Sequence, residues 1–386
     1  MKKYVLLLII LLAALSDIAA EDNKKIELKL DFPIFDLPYQ IEAGRTIGSG
    51  FFGSYASMSM NQSMAIAMDT HSALHFGLGK LENILPWEEE IKDTVLIIGN
   101  ILPVYLFEAF LPFGIGWAGS EFQRSVLSRF GVYSQTPYYT SKGYHISDSA
   151  LGVFKTNNPV NFVRMLSARP EADTAFVERM QKNIFFYDMS DYSIISPLVS
   201  NFFVLSNVGI GLVASYFPSL FQSLTQNINR NEKSEIDRKI VYYPALNWVY
   251  DIFRPNEPYE ARGIHPSGNG VNRYISWEKL TTEEKRYLEI QGWLSILNFA
   301  SPLLYGFKSF PIYGNDIIGN FALHHYLTSF GFDVTANAYL KYDIFNMAFT
   351  LHNYINYQNY YFALEGELLD FPIRFTDRFG LLLTPR

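Results

Sequence analysis

The stretch "GFDVTANAYLKY", residues 331–342, limits most strongly how this chain can fold. Phe332, Val334, Ala336, Ala338, Leu340 and Tyr342 alternate with Asp333, Thr335, Asn337, Tyr339 and Lys341. Successive side chains of a strand point to opposite faces, so this period of two predicts a two-faced strand. The runs Phe345–Ile355, Tyr360–Leu369 and Ile373–Leu383 follow, separated by short polar turns such as "NYQN". They predict an antiparallel β-meander within residues 308–386. A closed outer-membrane barrel needs at least about eight strands. These runs, with "KIELKLDF" near the start, are too few for a complete one.

Upstream the pattern is helical and apolar. Tyr192–Asn229 contains no Asp, Glu, Lys or Arg; Thr94–Phe107 is also uncharged, and its apolar character resumes after Glu108 as far as Gly119. Both reach the roughly 20 residues that cross a bilayer. Asn, Gly, Ser and Pro dilute them, so a buried helical core is the alternative. The shorter run Ile290–Phe307 is interrupted by Pro302. After Pro170, Ala172, Ala175, Phe176, Met180 and Ile184 sit at helical spacing and predict a helix over Glu171–Tyr187. Thr281 and Glu284 form a capping box ahead of a second helix.

The expected fold class is therefore α+β, a helical, partly membrane-embedded body with a C-terminal antiparallel β-meander. Its parts are a signal peptide at 1–20, an N-terminal strand segment at 21–47, the helical body at 48–307 and the β region at 308–386. The segment Ile26–Phe32 is a candidate to pair with the terminal sheet. The MKK head, the apolar run Tyr4–Leu15, and Ile18 and Ala20 before the junction predict export, with the mature chain starting at Glu21. No Cys occurs anywhere, which removes disulfides, thiolate chemistry and a lipoprotein anchor. A net charge of −7 excludes a nucleic-acid footprint. Aromatics at 16% beside charged residues at only 18% imply extensive burial or contact with lipid.

Candidate chemistry centres on "GWAGSEFQRSVLSRFGV", residues 116–132, and on "ARPEAD" about fifty residues later. The region from Pro112 to Tyr187 resembles a membrane-associated gluzincin, a zinc peptidase whose first helix carries His-Glu-x-x-His and whose second supplies a Glu. The resemblance implies that Glu121 stands at the general base and Glu171 at the third ligand. Ser120 and Arg124 depart from the two ligand His. A guanidinium is always protonated and has no lone pair for Zn²⁺, so a metal site of that type is dead. The plainer alternative is an amphipathic helix with a solvated Glu and Arg.

His71 and His75 are four apart with Asp69 nearby, an incomplete metal signature; polar packing is the alternative. His324 and His325 are adjacent, so their side chains diverge. "IGSGFFGSY", residues 47–55, reads as a turn-rich entry to the first helix, and no G-x-S-x-G elbow occurs. The loop 254–274 carries Arg254, Arg262, His265 and Arg273 with Glu257 and Glu260. It is a candidate binding loop, or a crossover connection held by ion pairs. The functional expectation is a non-catalytic structural or interaction protein of a bacterial-type cell envelope, with no cofactor. Its expected partners are membrane lipid and an envelope protein or a second copy. A membrane metallopeptidase with another ligand set and an outer-membrane channel are the alternatives.

Overall fold

The computed structural model describes residues 58–84, 113–134, 146–187, 195–231, 243–313, 316–356, 358–376 and 379–383, with single positions within 28–31, 91–102 and 235–240. The expected signal peptide, most of the 21–47 segment, "IGSGFFGSY", His145 and most of 94–112 lie outside the described residues. Leu28, Leu30 and Asp31 carry no strand assignment.

The protein is mixed helix and strand. Its helices are α1 (Met60–Ile84), α2 (Ile115–Arg129), α3 (Asp148–Asn157), α4 (Pro159–Phe186), α5 (Ile195–Val208), α6 (Ile210–Tyr216), α7 (Pro218–Asn231), α8 (Pro244–Phe253) and α9 (Thr282–Leu294). Strands β1 (Phe310–Tyr313), β2 (Ile317–Leu327), β3 (Phe332–Tyr342), β4 (Phe345–Ile355) and β5 (Tyr360–Leu369) form one antiparallel sheet in sequential order. β6 (Phe371–Thr376) and β7 (Phe379–Leu383) make a separate hairpin.

α4 is the axis of the body, packed by α1, α2, α3, α5 and α8 and by β2. Met165, Leu166, Ala168, Ala172, Phe176 and Val177 of α4 are buried in the main core with Trp117, Leu127, Trp248 and Val249. The sequence places the start of this helix after Pro170, but the structure carries it through Pro170. Proline removes one i to i−4 hydrogen bond. Both residues are buried in close packing that outweighs that loss: a Cβ on Gly119 of α2 would lie 3.1 Å from the Arg169 side chain. The capping box forms as the sequence predicts. The Thr281 hydroxyl accepts from the Glu284 N–H, and the Glu284 carboxylate accepts from the Thr281 N–H.

The uncharged run Tyr192–Asn229 is divided among α5, α6 and α7 rather than forming one span. Among the described residues no single helix is long and apolar enough to cross a membrane. α5 and α6 satisfy the length and composition together, but bend by 62°. The glycines of this region serve helix crossing. A Cβ on Gly211 of α6 would come within 2.8 Å of Leu288, and one on Gly292 of α9 within 2.7 Å of Leu212.

Sheet register explains the last quarter of the chain. Cross-strand partners Asp333↔Tyr354, Thr335↔His352, Asn337↔Thr350 and Tyr339↔Ala348 share one face. Glu365 and Glu367 continue that face on β5, opposite Thr350 and Ala348. The other face carries Phe321, Leu323, Val334, Ala336, Ala338, Phe349, Leu351, Phe362 and Leu364. In β3 the polar row is the buried one: Asp333, Thr335, Asn337 and Tyr339 are buried, while Val334, Ala336, Ala338 and Leu340 are only half-buried. A one-sided antiparallel sheet in water ordinarily does the reverse.

Candidate functional site

Burying a polar row requires partners, because an unsatisfied buried polar group costs about 1–3 kcal/mol. α4 supplies several. His324 donates from Nε2 to Gln181 Oε1 at 3.1 Å, since its Nδ1 accepts from Asn337 Nδ2 at 2.9 Å; the Thr350 hydroxyl then donates to Asn337 Oδ1 at 2.6 Å. The chain of bonds makes His324 neutral, and burial holds its pKa below the usual imidazole value. Tyr326 donates to Glu178 of α4, and Lys182 of α4 meets Glu367 at 2.5 Å. Phe185 and Phe186 close the layer against the Tyr339 ring at 5.9 and 6.0 Å.

Alongside this packing lies a cleft of about 1340 Å³ between α1, α4 and the polar face of the sheet. Among the described residues seven carboxylates line it, Asp31, Glu171, Glu178, Asp333, Glu365, Glu367 and Asp370, against the cations Arg164, Arg179 and Lys182. Several are already engaged. Arg164 pairs with Glu171, donating from Nη2 at 2.9 Å, and Tyr187 donates to Asp370. On the sheet wall His352 Nδ1 lies 2.7 Å from Asp333 Oδ2, and its Nε2 lies 3.7 Å from Glu365. The Asp333 hydrogen bond raises the His352 pKa above its ordinary value against the opposing effect of burial, and Glu365 and Glu178 add to the rise. The ring stacks on Tyr354, with planes 1° apart and centroids at 5.3 Å. Flanking carboxylates favour the charged ring, which suits recognition of a polar ligand better than general-base work, for which the ring must be neutral.

Ser120, Glu121 and Arg124 all sit on α2, and all are buried. Glu121 and Arg124 are not solvated: their side chains are 1% and 0% exposed and form an ion pair at 2.5 Å. Arg124 also donates to the Ser134 hydroxyl at 3.2 Å and to the Ser134 carbonyl at 3.1 Å, and Glu121 Oε2 accepts from the Met58 N–H at 3.2 Å. Ser120 donates back to the Gly116 carbonyl. Glu171 is elsewhere, on the cleft wall with Arg164. The gluzincin-like set therefore divides into a buried α2 pair and a cleft carboxylate.

His71 and His75 pack ring against ring at 4.1 Å inside the body, and His75 Nε2 lies 3.0 Å from the Ser196 hydroxyl. Burial, then the neighbouring His75, lowers the pKa of His71. Asp69 Oδ1 accepts from the Asp31 N–H at 2.7 Å. Among the described residues no three His, Asp or Glu side chains converge as a metal-ligating set. His324 and His325 lie on opposite faces of β2. His325 meets Gln291 of α9 at 2.9 Å, and burial drives its pKa down to about 3.

The loop 254–274 is held to neighbouring elements by ion pairs. Arg254 grips both oxygens of Glu284 at 2.7 and 2.9 Å. Arg262 and Lys155 converge on Asp251, Arg262 also donating to Asn247. Arg273 and Arg238 converge on Asp148, at 2.7 and 3.2 Å. His265 Nδ1 lies 2.8 Å from the Ser267 hydroxyl and accepts from the Ser267 N–H. Arg262, His265 and Arg273 are buried, Arg262 and Arg273 in ion pairs and His265 against Ser267. Gly270 is obligatory here, with φ +70° and a would-be Cβ 2.4 Å from Asp148.

The cleft residues Glu178, Asp333, His352 and Glu365 were not singled out by the sequence. The signal that would have found them is hairpin register. Tyr342 pairs with Phe345 across a two-residue turn in which Asp343 has φ +51°, and counting back from that turn brings Asp333 beside Tyr354 and His352. No family model, curated protein or solved structure matches the chain.

Proposed function

We propose that this is an exported, non-catalytic protein of the cell envelope that lies against a membrane through the apolar face of its sheet. Lipid is then its main partner, and the acidic cleft on the opposite face is turned to water. The observation that carries this reading is the inverted polarity of the sheet. The outward rows Phe321–Ala338–Phe349–Gly366 and Leu323–Ala336–Leu351–Leu364 contain no charged residue. Phe362 and Leu364 are 70% and 75% exposed. Covering a large apolar side chain fully is worth about 1.5–3 kcal/mol, and a row of them makes a bare face unfavourable in water.

The same surface extends onto the helices. α9 and the 3-10 turn Ser295–Phe299 pack on the outward side of β2, where His325 meets Gln291 and its N–H meets Asn298 Oδ1. Trp293 beside Tyr216, and Phe299 beside the exposed Phe202, add aromatics to that side. Aromatic rings of this kind favour the membrane–water boundary. Arg124 at a ligand position of α2 supports the non-catalytic part: the Arg124–Glu121 pair occupies the place where the resemblance would put a metal.

Cell fractionation followed by alkaline carbonate extraction tests the reading. Wild-type protein is expected to stay with the membrane, and the double substitution Phe362→Asp with Leu364→Asp to release it. Quantitative release of wild-type protein overturns the proposal. Stoichiometric zinc bound through Glu121 or Glu171 would restore the peptidase reading.

A further inference from the structure

β5 ends the sheet, and its first half, Tyr360–Leu364, is exposed on both faces. Besides the ladder to β4, acidic side chains help tie it down. Glu367 meets Lys182 of α4, Asp370 just beyond the strand meets Tyr187, and Glu365 faces His352 of β4. A lysine and a tyrosine keep their protonation states across the physiological range. His352 does not; within the exposed half the Tyr361 ring meets Phe330 at 5.2 Å, a contact that no proton switches.

Asp333, His352 and Glu365 lie diagonally across three neighbouring strands on one face. Diagonal neighbours in a sheet are about 7–8 Å apart at the backbone, within reach of long side chains. We propose that His352 is a proton-operated latch that fastens the edge strand β5 to the wall of the cleft when charged and releases it when neutral. In the charged state Nδ1–H donates to Asp333 and Nε2–H faces Glu365. In the neutral state the Asp333 bond keeps its proton, and a bare Nε2 lone pair confronts the Glu365 carboxylate. Of the other groups facing the ring, Glu178 of α4 favours the charged form, burial opposes it, and Tyr354 stacks on one face of the ring.

The sign follows from the raised pKa. The latch is closed at acid pH and opens as pH rises through the folded-state value, which lies above the ordinary imidazole value near 6.5. The device concerns the inward face, so it operates whether or not the outward face meets lipid.

Hydrogen exchange of the purified full chain reads the latch directly. Protection factors of the ladder amides between Tyr361 and Glu365, corrected for intrinsic exchange, are compared at about pH 5 and about pH 9, either side of the imidazole range. Loss of a half-exposed pair predicts a fall in protection of about three- to fivefold at the higher pH. His352→Gln keeps a donor for Asp333 and is expected to show no step. Glu365→Gln is expected to abolish the step independently, which keeps the test decisive if the His352 variant does not fold. A flat profile in the wild type, or a step that survives in either variant, overturns the latch.

Discussion

Arg124→Ala removes the most deeply buried charge on α2, and its cost can be worked from the contacts. The guanidinium is fully buried, pairs with Glu121 at 2.5 Å and donates twice to Ser134. Truncation deprives a carboxylate at 1% exposure of this counter-charge and leaves a large void beside it. Breaking one partner of a buried pair costs about 3–5 kcal/mol, against about 0–1 for a surface pair. With an unfolding entropy near 2.1 cal/mol/K per residue, a two-state chain of this length would lose about 4–6 °C in Tm. Replacing both partners, Glu121→Leu with Arg124→Leu, should recover much of that loss, because well-packed apolar side chains often replace a buried ion pair at little cost. The assay is urea or thermal unfolding of the two single variants and the double variant, with and without zinc. A single Arg124→Ala variant as stable as wild type would refute the reasoning, as would rescue by zinc.

Three further outcomes follow from the same geometry. The pKa of His325 is lowered to about 3, so the folded state keeps the ring neutral while the unfolded state protonates it. Its contribution to stability is complete above about pH 6.5 and is lost as pH falls toward about 3; His325→Phe should flatten that acid limb in pH-dependent unfolding, and an unchanged limb would contradict it. Gly270→Ala forces a Cβ against Asp148 at a positive φ, and in urea denaturation should lower stability by more than the roughly 0.4–1 kcal/mol that a strain-free Gly→Ala change gains, an unchanged midpoint contradicting it. Thr281→Ala removes the helix cap of α9 and should cost about 1 kcal/mol by urea denaturation, with no loss marking the cap as dispensable.

Where one physical signal dominates, the sequence reads cleanly. β3, β4 and β5 match the predicted runs, and in β3 burial alternates residue by residue as the period of two requires. β2 does not announce itself: α4 covers one of its faces and α9 the other, so His324 and His325 are both buried and the period of two disappears. α4 is longer than its pattern suggests because tertiary packing carries it through Pro170. The buried pair Glu121–Arg124 is legible at i, i+3 on one helix, whereas the separation of Glu171 from it depends on the path of a different helix face. The Asp333–His352–Glu365 diagonal joins three strands. Such a site emerges only from cross-strand register.

The central claim is that the apolar face of the sheet meets lipid while its polar face meets water. The chain has no cysteine, so single cysteines at Phe362, Ala363, Leu364 and Glu365 can each carry an environment-sensitive fluorophore without background. With the protein on vesicles containing bromine-labelled acyl chains, alternation along β5 is the direct test. Phe362→Cys and Leu364→Cys labels should be quenched by the lipid, and Ala363→Cys and Glu365→Cys labels by a water-soluble quencher. Four labels quenched alike from the aqueous side, with none reached by the brominated lipid, would contradict the account.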